Sequence, residues 1–106
     1  MSHKVIFSQQ ALDDLEQIVA YISQDSKNAA LKLYDKIIEK TGRLSDFPMM
    51  GMLVPDEKIG KHGFRMIRHG NYLLFYKVYD TSVFVLRILH GARDYRNLLI
   101  FDNDTE

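Results

Sequence analysis

Residues 63–90 hold three strand-like runs in succession, separated only by tight breaks. Gly63-Phe-Arg-Met-Ile-Arg68 leads into His69-Gly-Asn71, Tyr72 to Tyr79 into Asp80-Thr-Ser82, and Val83 to His90 into Gly91. Gly and Asn accept positive φ, so the first break predicts a tight turn. Breaks this short can join only antiparallel neighbours, because a parallel pair needs a crossover of a dozen residues or more. The C-terminal half is therefore expected to be an antiparallel meander. Tyr72 to Tyr79 is aromatic and branched on both of its faces and predicts the central strand. In the last run, alternation puts Phe84, Leu86 and Ile88 on one face and Val85, Arg87 and Leu89 on the other. The first set is expected to meet helices, the second to face outward or toward a partner.

The N-terminal half reads differently. Lys4-Val-Ile-Phe7 is a short strand-like run, and Ser8 offers a hydroxyl as an N-cap. Ala11, Leu12, Leu15, Ile18, Val19 and Ile22 then recur at three- and four-residue steps, which predicts an amphipathic helix ending near Ser23. Ser26 caps a second helix, with a stripe of Ala30, Leu33, Tyr34, Ile37, Ile38, Thr41 and Leu44, stopped at Phe47-Pro48. Two helices on so short a link lie antiparallel. Met49 to His62 holds Gly51, Pro55 and Gly60 and no period, and reads as a functional or mobile loop. Asp94 is expected to cap a short terminal helix carrying Leu98, Leu99 and Phe101. The expected order is β-α-α-β-β-β with a short C-terminal helix. The fold class is α+β, a helical hairpin packed on a mainly antiparallel four-stranded sheet. One domain spans residues 1–101, and residues 102–106 form an acidic, frayed tail.

The formal net charge is zero, but it is unevenly laid out. Residues 1–57 carry six Lys or Arg against nine Asp or Glu, whereas residues 58–101 carry eight against two. The sheet half thus offers a basic surface suited to an acidic partner or a phosphate chain. With no Cys there is neither a disulfide framework nor thiolate chemistry, which fits a cytoplasmic location. The four His have no metal-ligand spacing, so no metal is expected. The glycines match no nucleotide-binding fingerprint, so no cofactor is expected. No apolar run approaches the ~20 residues that would span a bilayer, and no membrane is expected as a partner.

Several short segments, in order, are similar to the RelE/ParE family of bacterial toxins. Val5-Ile-Phe-Ser with Ala11, Asp14-Leu15 and Ile18 to Ile22 resembles the family's opening. Arg43-Leu44, Phe47-Pro48 and Gly51 resemble the exit from its second helix. Asn71-Tyr-Leu-Leu-Phe-Tyr-Lys-Val78 and Leu89-His-Gly-Ala-Arg-Asp94 resemble its two strongest motifs. The likeness covers nearly the whole chain and implies the toxin of a type II toxin–antitoxin system, held inactive by a cognate antitoxin, often in even-numbered complexes. Two targets occur on this fold. RelE-like members cleave mRNA on the ribosome, and ParE-like members poison DNA gyrase.

Metal-free RNA cleavage needs a base for the 2′-hydroxyl, cations for the phosphate and an acid for the leaving oxygen. RelE-like nucleases resemble one another in a Lys and Arg cluster on the sheet and a Tyr on the final helix. Carried over, the first basic position is Arg65, the next falls on Ile67, the one early in the central strand on Leu73, and the last on Arg93. The terminal tyrosine position falls near Leu99, with Tyr95 one turn earlier. Two cationic positions are apolar, so the resemblance implies the ParE-like branch, closing on gyrase through Arg65, Arg68, Tyr72, Arg93 and Arg96. The alternative is an endoribonuclease using Arg65, Arg68, His90, Arg93 and Tyr95. A third reading is a non-toxic family member that only binds antitoxin. The expected antitoxin-binding surface is an apolar outer face of the sheet made by Leu73, Phe75, Val85 and Leu89.

Overall fold

The computed structural model of the chain describes residues 2–91. The predicted terminal helix and acidic tail, with Arg93, Tyr95 and Arg96, lie outside them. Strand β1 (Lys4–Phe7) leads into helices α1 (Gln9–Ser23) and α2 (Lys27–Gly42), and a 3₁₀ turn follows at Arg43–Ser45. Both predicted serine caps form. Ser8 Oγ accepts from the Ala11 N–H at 3.0 Å and Ser26 Oγ from the Ala29 N–H at 3.1 Å. Strands β2 (Met52–Leu53), β3 (Arg65–His69), β4 (Tyr72–Tyr79) and β5 (Ser82–His90) complete the fold, with helix α3 (Glu57–Lys61) between β2 and β3. The strand order is β1-β5-β4-β3-β2. Only the β1–β5 pair is parallel, because the helical hairpin supplies its crossover. Gly70 turns β3 into β4 at a φ of 58°, as the tight turn requires.

The sheet has five strands rather than four, and the predicted loop of Met49 to His62 is partly built. Two residues of it form β2, and Asp56 caps α3 by accepting from the Lys58 and Ile59 N–H groups. Five residues are too few to show a helical period. What fixes α3 is one anchor, Ile59, buried with Val54, Phe64, Leu73, Phe75 and Leu89. The second layer is the hairpin. Ala11, Leu15 and Ile37 pack there against Leu74, Val85 and Ile88. Both faces of the central strand are therefore covered, which explains its apolar character throughout.

The face assignment of the last strand needs correction. Phe75 pairs with Arg87 but Tyr76 pairs with Val85, so Leu86 is a bulge residue without a partner. One extra residue reverses the alternation beyond it. Val83, Val85 and Ile88 pack on the helix side, whereas Leu86 and Leu89 pack on the α3 side. Phe84 lies edge-on to Tyr79 at 5.3 Å instead of in the hairpin core.

The bulge coincides with the point where β1 stops covering the edge of β5. The start of α1 takes over the edge. The Ser8 N–H donates to the Val85 carbonyl at 2.9 Å, and its hydroxyl to the Leu86 carbonyl at 2.8 Å. Asp14 accepts from the Ile88 N–H at 3.0 Å. Arg87, expected to face outward, instead grips Asp14 with two bonds of 2.8 and 2.9 Å. The bonding to Asp14 pushes the guanidinium further above its ordinary range, against the lowering effect of its partial burial.

A second tie holds the chain leaving α2. Gly51 lies on Tyr76, whose hydroxyl accepts from the Gly51 N–H at 2.8 Å. Arg65 Nη1 donates to the Gly51 carbonyl at 2.6 Å. Tyr76 is fully buried, and burial raises its phenol pKa against the opposing effects of the Gly51 bond and Arg65.

Candidate functional site at one end of the sheet

The expected site residues divide between two places. Strand register aligns His69, Tyr72 and His90 in one row across β3, β4 and β5. The Tyr72 and His90 rings meet edge to face at 5.6 Å. Arg68 lies one row further in, opposite Leu73, and is exposed. Its guanidinium reaches across toward the end of β5, since a Cβ built on Gly91 would come 3.6 Å from Arg68 Nη1. Tyr72 and His90 are thus brought together at this end of the sheet, with Arg68 on its opposite face. Arg65 is not among them. It pairs with Tyr76 on β4 and Leu53 on β2, toward the far end of β3, and holds Gly51. Its role is structural, and the signal was Gly51, a glycine pressed against a strand rather than one in a turn.

Two residues overlooked in the sequence also reach this end. Lys40 on α2 donates to the Arg68 carbonyl at 2.9 Å. Lys36, one helical turn earlier, acts with it on His69. Burial first, then Lys40 and Lys36, lower the His69 pKa below its ordinary 6.5. Native His69 therefore binds its proton more weakly than the unfolded chain does. Its contribution to stability is present above pH 6.5 and is lost as pH falls through the lowered value. We expect an NMR titration of the His69 ring with a midpoint below that of free histidine, moved upward in Lys40→Gln. A midpoint at the ordinary value in the wild-type chain contradicts this arrangement.

The expected antitoxin face is corrected more sharply. Leu73, Phe75, Val85 and Leu89 are between 0% and 5% exposed. Val85 faces the hairpin because of the bulge, and the other three lie under α3. No bare apolar sheet face remains at these residues. Exposed apolar surface lies instead on the outer side of the hairpin, where Phe7, Leu12, Leu15, Val19, Tyr34 and Ile38 line a groove of about 490 Å³. Among the described residues, no group of three His, Asp or Glu could share a metal ion, and no helix is long and apolar enough to cross a membrane.

The profile of the ParE toxin of type II toxin–antitoxin systems (parDE) matches residues 5–95, which take in both the hairpin and the sheet. The chain belongs to the ParE toxin family. The fold agrees. A chain of the chromosomal ParDE toxin–antitoxin system of P. aeruginosa superposes with a TM-score of 0.67 at 22% identity, over 84% of this chain and 96% of that one. A chain of the RelBE2 toxin–antitoxin complex of Mycobacterium tuberculosis gives a TM-score of 0.57 at 25% identity, over 85% and 99%. No curated protein matches the chain. As a ParE-family toxin it carries the superfamily's hairpin-on-sheet fold, with Arg68, His69, Tyr72 and His90 at one end of the sheet.

Proposed function

We propose that this ParE-family toxin inhibits DNA gyrase by gripping the enzyme and does not cut RNA. The observation that carries the reading is the fate of the two apolar residues at nuclease positions. Ile67 packs into the core between sheet and hairpin, and Leu73 is buried under α3. Neither Ile67 nor Leu73 can present a cation to a phosphate. A third position, Arg65, spends its guanidinium on Gly51. Loss of a charge-stabilising donor typically costs about 10²–10³ in rate, and a missing acid or base about 10²–10⁴. A surface that only binds needs less. Arg and Tyr are favoured anchors in protein interfaces, and Arg68 and Tyr72 mark the two faces of this sheet end.

A cognate antitoxin is the second partner of this reading, in keeping with the complexes in which both structural neighbours occur. The hairpin groove supports a site for it. Leu12, Tyr34 and Ile38 are 40–46% exposed there, an apolar surface of the kind that marks an interaction site. Location in the cytoplasm, where gyrase acts, follows from the same reading.

Induced expression without antitoxin, followed by pulse labelling of new DNA and new protein, tests the target. DNA synthesis should fall first and translation later. Translation halting first would assign the chain to the ribosome. Unimpaired growth at good expression would leave it as an antitoxin-binding member without toxicity.

A further inference from the structure

We propose that the flank of α2 facing the β3–β4 turn is a docking track for the phosphate backbone of duplex DNA. Lys32, Lys36, Lys40 and Arg43 follow one another at intervals of four, four and three residues. On a helix these positions fall within one quadrant, and each four-residue step rises about 6 Å. His69 extends the row onto the sheet, where Lys40 donates to the neighbouring Arg68 carbonyl, while the Arg68 side chain lies on the other face with Leu73. Lys32, Lys36 and Arg43 are exposed. The acidic residues of the same helix lie to one side. Asp35 and Glu39 border the row on the side away from Lys40. Glu39 does touch Lys36 at 3.5 Å and Arg43 at 3.8 Å, but the side chains in both pairs are more than half exposed. Such pairs are readily exchanged for phosphate. Burial lowers the His69 pKa most, and Lys40 and Lys36 add to the lowering.

The occupant is argued from charge and spacing. Four cations in a straight row suit a regular chain of like charges better than a compact acidic site. The row is also continuous with the end of the sheet assigned above to gyrase, an enzyme that works on bound duplex. The proposal thus deepens the gyrase reading, since toxin and DNA would be gripped in one complex. It can nevertheless fail alone.

Four cations on the backbone predict a log–log slope of affinity against salt of about −4, at roughly −0.9 per phosphate contact. Fluorescence anisotropy of the purified chain with a labelled duplex reads this directly. The variant Lys32→Gln/Lys36→Gln/Arg43→Gln removes three exposed cations and should keep its thermal transition. Its slope should fall to about −1, with weaker binding. The same variant should need more protein to inhibit gyrase on plasmid. Salt-independent binding, an unchanged slope in the variant, or tighter binding to an RNA hairpin than to the duplex would each overturn the proposal. A wild-type chain that inhibits gyrase, with a variant equally potent, would refute the track and leave the gyrase reading intact. A chain that binds duplex through these residues but never inhibits gyrase would do the reverse.

Discussion

Gly51→Ala should unfold this protein far more readily than a one-carbon change on a surface segment normally does. A Cβ at Gly51 would lie 2.6 Å from the Met66 carbonyl oxygen and 2.8 Å from both Cε1 and Oη of Tyr76. None of these can give way easily. Met66 is held in the β2–β3 and β3–β4 ladders, and Tyr76 is the largest fully buried side chain. The backbone of residue 51 must therefore back off. Doing so breaks the bonds to Tyr76 Oη and from Arg65 Nη1 together. Overpacking costs about 1–3 kcal/mol, and leaving the buried phenol unsatisfied costs about 1–3 more. A loss of about 2–6 kcal/mol is expected from the sum of the two, against a total stability of roughly 5–15 kcal/mol. Urea unfolding of Gly51→Ala beside Tyr76→Phe checks it. The phenylalanine variant loses the hydroxyl without the clash and should cost only about 1–2 kcal/mol. Equal losses would mean that the contact itself carries little.

Asp14→Ala should be of similar size for a different reason. The carboxylate serves three donors at once, two on Arg87 and the Ile88 N–H. The side chains of Arg87 and Asp14 are only 14% and 13% exposed. Removing one partner of a buried ion pair strands the other charge, at about 3–5 kcal/mol. It also leaves the Ile88 N–H bare where β1 no longer covers the edge. The double variant Asp14→Ala/Arg87→Leu should recover much of the loss, because the stranded charge is gone. A double variant no more stable than the single one would show that the edge bond to Ile88, rather than the ion pair, dominates. Hydrogen exchange at Ile88 separates the two contributions.

How much of this was legible in the sequence depended on whether the deciding interaction was local. The caps at Ser8 and Ser26, the helical stripes and the turn at Gly70 are short-range chemistry, and the structure follows them. The bulge at Leu86 is not local. It is set by where β1 ends on the neighbouring edge and by Asp14, 74 residues from Ile88 in sequence. Missing it transferred Val85 to the wrong face and turned Arg87 into a surface group. The short helix α3 escaped because a single buried Ile59 anchors it, and without α3 the residues Leu73, Phe75 and Leu89 read as a bare face. At the sheet end, Tyr72 and His90 meet because strand pairing brings turn-flanking residues together. Arg65 was misassigned, since its partner is a backbone carbonyl that no spacing rule marks. The contribution of α2 was visible as Lys32, Lys36 and Lys40 at four-residue steps, but the sheet end they point to was not.

The central claim is that this scaffold acts by binding, with two would-be catalytic positions spent on core packing. Purified chain should be added in parallel to gyrase with relaxed plasmid and to ribosomes carrying a defined transcript. The account predicts blocked supercoiling or accumulated cleaved plasmid, weakened by Arg68→Ala and Tyr72→Ala, with the transcript intact. Scission of the transcript at defined codons, with supercoiling untouched, would contradict it.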